Sequence, residues 1–268
     1  MAKKKEIVEY EEYVNGFTFY GVLGNDIITF KTKGYWRDLK TKTPMSEIMC
    51  KHQIEFGGCA CFGSLCRTAL GGLHRMADIN VTSFLIGIGK KIMNHDTVSE
   101  LGKRSLILSA NKSLLESLYF NHEIPFNTVL LVKPVVETDR ENLKAEIFIP
   151  EIITEIDLIN NHRYPFFRVL ASIGCVSDVI YNPIIDEYEP VVDHLQNAFD
   201  KFTGDWYSSF SIVPEQTITL QIPEFSIEEL TDNVTFVLSI AIQFGRYDWY
   251  KDPIEKKHAG YGKILKVF

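Results

Sequence analysis

Five side chains able to ligate a metal fall in one short stretch: Cys50, His52, Cys59, Cys61 and Cys66. Thiolates and imidazoles are good zinc ligands, but local zinc sites pair their cysteines in C-x2-C or C-x2–4-C knuckles, and this stretch does not. Cys59 and Cys61 would point to opposite faces of a strand, and would sit about 200° apart on a helix. Their neighbours are apolar and rich in glycine, the setting of cysteines that pack as small hydrophobes. The expectation is a metal-free, mostly buried cluster. A metal-stabilised domain or metalloenzyme centred on residues 50–66 is the alternative.

A second group suits anions. Lys31, Lys33, Lys40 and Lys42 surround Tyr35, Trp36 and Arg37. Aromatic rings stack on unpaired bases while lysine and arginine follow phosphates, so this interleaving predicts contact with single-stranded nucleic acid. The bland reading is a surface hairpin whose Trp36 folds onto the body. Gly87, Gly89, Lys90 and Lys91 form G-x-G-K-K, which lacks the spacing of a Walker loop and the third glycine of a dinucleotide fingerprint. No nucleotide cofactor is expected, yet both lysines can meet a phosphodiester chain. No G-x-S-x-G elbow is present, and the seven histidines are scattered. Glu151 with Glu155, and Glu228 with Glu229, lie in an acidic region and read as a solvated face.

The elements that must position these groups follow from size and pattern. With 268 residues, 46% hydrophobic and 24% charged, the chain is long enough for a sizeable core. No apolar run approaches the ~20 residues of a membrane span, and the start carries lysines without an apolar stretch behind them. Four of five cysteines lie within residues 50–66. That usage argues for a reducing, cytoplasmic compartment over a disulfide framework. The net charge of −7 hides an asymmetry. Residues 31–112 hold 13 Lys and Arg against 6 Asp and Glu, whereas residues 113–268 hold 12 against 24. A basic segment on an acidic body can present a positive face.

One stretch reads as though written twice. Ile149-Pro150-Glu151 leads to Asn182-Pro183-Ile184, and Ile222-Pro223-Glu224 leads to Asp252-Pro253-Ile254. The fold class expected is α+β: duplicated ferredoxin-like β–α–β units, spanning 147–184 and 217–254, in one body with antiparallel sheet. Strands are predicted at 147–149 and 217–222, with helices near 165–175 and 233–244. Residues 1–13 read as a solvated tail. Residues 14–120 read as a basic lobe and 121–268 as an acidic one. Two strands are predicted around a Gly-Asn turn at residues 24–25, and Pro44 and Ser46 open the next element, with Glu47 in its first turn. A helix capped by Ser64 follows, then a strand from Val81. Residues 103–120 read as a strand followed by an amphipathic helix, 127–136 as a strand, and 190–202 as a helix.

Phe62-Gly63-Ser64-Leu65-Cys66-Arg67-Thr68-Ala69-Leu70 resembles the glycine-serine-leucine…arginine segment that starts a helix in the RAMP superfamily, which includes CRISPR effector backbone subunits and related phage-encoded proteins. Gly245-Arg246-Tyr247-Asp248-Trp249 and the ending from Gly260 to Phe268 resemble the terminal glycine-rich turn and last strand of some phage relatives. The resemblance implies a non-enzymatic protein that coats single-stranded RNA or DNA, its protomers packed side by side as a homo-oligomer or within a larger assembly. It adds Arg67 to the expected binding set of Lys31, Lys33, Tyr35, Trp36, Arg37, Lys40, Lys42, Lys90 and Lys91. A phage or mobile-element assembly protein without nucleic-acid contact is the competing expectation.

Overall fold

The computed structural model describes residues 12–14, 17–22, 25–29, 46–116, 118–193, 198–222 and 231–268. Two compact units divide the chain, Met1–Ser46 and Glu47–Phe268. In the first, β1 (Glu12–Val14), β2 (Phe17–Val22) and β3 (Asn25–Thr29) form an antiparallel meander in the order β1-β2-β3. The two strands expected around the Gly-Asn turn are β2 and β3.

The second unit opens with α1 (Glu47–Ala69). Glu47 in its first turn and Arg67 in its last complement the helix dipole. Cys59, Phe62, Cys66 and Ala69 recur at helical spacing and are buried. Ser64 is therefore mid-helix, not a cap, and the segment resembling a RAMP helix start lies in the second half of α1. The helix ends where Gly71 and Gly72 take φ of 54° and 89°, a region glycine enters without a Cβ penalty. A 3-10 turn, Leu73–Met76, follows. Then comes α2 (Val81–Met93), where a strand was expected. Asn80 caps it by accepting the Ser83 N–H at 3.2 Å, and Val81, Leu85, Ile88 and Ile92 form its buried stripe. Its β-branched start mimics a strand, but the period is helical.

The connection to the sheets contains two single turns, α3 (Ser113–Glu116) and α4 (Phe126–Val129). The expected strand at 127–136 thus begins as a helical turn, and the amphipathic helix within 103–120 shrinks to α3. Next come β4 (Val135–Asp139), β5 (Lys144–Ile149), β6 (Ile152–Ile153) and the short turn α5 (Thr154–Asp157). They are followed by β7 (Phe166–Ser177), β8 (Val179–Asn182) and β9 (Glu187–Pro190). The chain finishes with β10 (Phe199–Thr203), β11 (Tyr207–Ser208), β12 (Ile212–Val213), β13 (Gln216–Gln221), β14 (Val234–Tyr247) and β15 (Pro253–Val267). Residues 199–203 are a strand where a helix was expected; 194–197 lie outside the described residues.

The protein is α+β with mostly antiparallel sheets. A central sheet runs β10-β7-β14-β15, with β11 also on β7, and a second runs β13-β5-β4. Between them lies one core, where Ile147, Ile149, Ile218 and Leu220 meet Val169, Ile173, Phe236 and Ile240. On the other side of the central sheet lies a second core, where Phe62, Leu85 and Ile92 from the helices meet Leu170, Val237, Ala241 and Ile264. Beneath the helices the central sheet is thus covered on both faces.

This layering corrects the β–α–β reading. The strands at 147–149 and 217–222 are present as β5 and β13. The helices expected at 165–175 and 233–244 are instead β7 and β14, two long central strands. What the two stretches share is a short strand and then a long one. Each pairs with its counterpart: β5 with β13, and β7 with β14, the latter placing Ser172 opposite Ser239.

Candidate functional site

The C-terminal end of α1 overhangs the central sheet. Ser172 Oγ donates to the Ala69 carbonyl at 3.1 Å, which satisfies a helix-end acceptor and ties α1 to β7. A Cβ on Gly174 would overlap Ala69 Cα, so helix and strand touch backbone to backbone there. The helices stop at this point, and the sheet face carries on uncovered. The space left is a cleft of about 820 Å³.

Its lining is cationic. Arg67 comes from α1, Arg75 from the 3-10 turn, Arg168 from β7 and Lys201 from β10. Glu255 is the single carboxylate, and no serine or cysteine is present, among the described lining residues. Arg168 is the most constrained of the cations. Its Nε and Nη2 donate to Gln243 Oε1 at 2.8 and 2.6 Å. Its guanidinium lies 4.4 Å from the centre of the Trp206 ring, and Glu255 is 3.7 Å away. A planar fork held this way is preoriented for an oxyanion. Among the described residues, neither Arg75 nor Lys201 has an ion-pair partner. His74, also in the lining, has its pKa lowered by burial and then by the charges of Arg67 and Arg75, which favours the neutral ring at pH 7. The arrangement can hold an anion.

The structure sorts the expected binding residues into three groups. Arg67 lies in the cleft. Lys91 is exposed on α2, whereas Lys90 is bound to the buried Glu55 at 2.5 Å, so it serves the fold. Gly89 also serves the fold: a Cβ there would lie 2.9 Å from Phe62, so it permits close packing of α2 on α1 and forms no phosphate loop. Lys31, Lys33, Tyr35, Trp36, Arg37, Lys40 and Lys42 lie outside the described residues.

Sequence reasoning missed Arg75, Arg168 and Lys201. Arg168 carries a signal, because it is the lone charge in the apolar run FFRVLASIGC, and charges inside buried strands have partners or purposes. Arg75 and Lys201 carry none, since 126 positions separate them in the chain.

The four cysteines of α1 divide by helical angle, and Cys175 lies on β7. Cys59, Cys66 and Cys175 are buried, while Cys50 and Cys61 are half-buried, and all five are free thiols. Burial pushes the Cys59 thiol up to about 11 and that of Cys175 up to about 12. Among the described residues, no three His, Cys, Asp or Glu side chains converge to hold a metal ion. No helix among them is long and apolar enough to cross a membrane.

Comparison with protein-family models, with curated proteins and with solved structures finds no match to this chain.

Proposed function

We propose that this protein is a non-enzymatic subunit that binds single-stranded nucleic acid, with the strand's phosphates held in the cleft at the end of α1. The observation that supports the reading most is the lining itself. Among the described lining residues, four cationic side chains face one carboxylate on a chain of net charge −7. Such local reversal of sign focuses a positive potential. Two segments of opposite composition contribute, with Arg67 and Arg75 from the basic part and Arg168 and Lys201 from the acidic part. The RAMP resemblance implies the same ligand class and side-by-side assembly on the strand. Both belong to the proposal.

The test is fluorescence anisotropy with a labelled single-stranded oligonucleotide over a salt series. Binding should weaken steeply with salt. Arg67→Ala with Arg75→Ala should reduce affinity and flatten the slope of log affinity against log salt by ~0.7 for each phosphate no longer neutralised. Absence of binding at low salt, where electrostatic affinity is greatest, would remove the reading and favour an assembly protein that makes no nucleic-acid contact.

A further inference from the structure

The cleft continues into a run of aromatic rings. Along β7, Phe166, Arg168 and Leu170 alternate with the buried Phe167 and Val169, so the first three share the cleft's face of the sheet. Gln243 lies opposite Arg168, and Gly245 opposite Phe166. Trp206 occupies the space over Gly245, where a Cβ would meet its ring at 2.6 Å. The same ring stacks on Arg168 at 4.4 Å. Tyr247 follows, its ring edge-on to Phe166 with centroids 4.8 Å apart. From guanidinium to Trp206, Phe166 and Tyr247, flat π-surfaces lead out of the cleft to the β14–β15 turn.

That turn presents more rings. Trp249 and Tyr250 are 100% and 86% exposed, and Tyr247 is 56% exposed. Scattered exposed apolar residues need no explanation, but three aromatics within four positions at the end of a cationic cleft do. The turn is also held. Asp248 Oδ1 accepts the N–H groups of Tyr250 at 2.7 Å and Asp252 at 2.8 Å, and the Asp248 N–H donates to the Asp252 carbonyl at 2.9 Å. The Asp248 carboxylate is therefore engaged with backbone, and the rings stand on an ordered hairpin. A binding surface ordered in advance loses less entropy on engagement.

We infer that this aromatic ledge stacks the unpaired bases of the strand whose phosphates lie in the cleft, and so selects single strands over duplex. The inference rests on the nucleic-acid reading of the cleft and names what that reading leaves open, the part of the ligand beyond its phosphates. A ligand that carries both dense negative charge and exposed flat rings matches the two surfaces together. In a duplex the ring faces are already stacked on one another and are not offered.

The experiment compares three probes of equal length: a single-stranded thymidine homopolymer, an abasic deoxyribose-phosphate chain and a duplex. The thymidine strand should bind roughly 10-fold or more tightly than the abasic chain, in line with stacking of one or two bases. Trp249→Ala with Tyr250→Ala should abolish that preference. It should leave affinity for the abasic chain and the salt slope unchanged, because stacking releases no counterions. Trp249→Phe should keep most of the preference. Equal binding of the thymidine and abasic strands by the unaltered protein, or a preference that survives the double substitution, overturns the ledge and leaves the cleft reading standing. A weaker hold on the abasic chain in the double variant likewise overturns it. No binding of any probe at low salt removes the cleft reading, and the ledge with it.

Discussion

Glu55 is fully buried yet ionised. Its carboxylate accepts from Arg104 Nε at 2.6 Å and Nη2 at 2.7 Å, from Lys90 Nζ at 2.5 Å and from the Gly102 N–H at 3.0 Å. Burial alone would raise its pKa, but these donors outweigh it and bring the carboxyl from 4.5 down to about 2. A carboxyl with a depressed folded pKa contributes stability above its unfolded pKa and loses it as pH falls through the folded one. Unfolding free energy should therefore decline between about pH 4.5 and about pH 2, and Glu55→Gln should flatten that decline. At neutral pH the same substitution should lower stability by roughly 3 kcal/mol, measured by urea unfolding. That is the low end for a broken buried ion pair, because Lys90 stays partly in solvent. Cysteine chemistry belongs to this scale too. A maleimide should label Cys50 and Cys61 in the native protein, and reach Cys59, Cys66 and Cys175 only on unfolding, as read by peptide mass spectrometry. Fast native labelling of Cys66 would contradict its burial.

Glycines decide how closely the elements approach, and they do not all act alike. Gly174 on β7 lies against α1, where a Cβ would overlap Ala69 Cα and sit 2.5 Å from its carbonyl oxygen. Neither backbone atom can swing away, so Gly174→Ala should destabilise by ~2 kcal/mol or more through forced separation of helix and sheet. Gly262 on β15 plays a similar part, with Phe120 at 2.5 Å, but a ring yields more readily than backbone. Gly57 is the contrast. It sits in α1 with nothing within 4 Å of a built Cβ, so Gly57→Ala should stabilise by ~0.5–1 kcal/mol through helix propensity. Opposite signs from the same substitution, read from thermal melts of the two variants, test the packing directly.

At the scale of the whole molecule, both described cores are built within Glu47–Phe268. A chain beginning at Ser46 should therefore retain one cooperative melting transition. It also retains Arg67, Arg75, Arg168 and Lys201, so salt-dependent binding should persist. Any fall in the salt slope relative to the full chain would measure the phosphates neutralised by the cations removed, Lys3, Lys4 and Lys5 together with Lys31, Lys33, Arg37, Lys40 and Lys42, at ~0.7 each for a single strand. If truncation abolishes binding while the fold survives, the cleft is not the main site.

Local chemistry in the sequence determined a good part of this protein. Aromatic and β-branched content around a Gly-Asn turn placed β2 and β3, and the recurring Ile-Pro-Glu markers placed β5 and β13. Ser46 with Glu47 marked the opening of α1, and irregular spacing with apolar neighbours predicted a mostly buried cluster at 50–66, of which Cys59 and Cys66 are buried, Cys50 and Cys61 half-buried and His52 exposed. The α+β class was expected from β–α–β units and holds although their helices are strands, because α1 and α2 supply the helical part. The tertiary structure decided the rest. FFRVLASIGCVS and VTFVLSIAIQFGRY are nearly continuous apolar runs because helices cover one face of their sheet and a second sheet covers the other. A strand buried on both faces loses its alternation and cannot be told by period from a buried helix. Lys90 looked available for phosphate until folding brought Glu55 to it from 35 positions away. The cleft likewise exists only where α1 ends over β7, β10 and β15, because the charges that line it are neighbours in space and strangers along the chain.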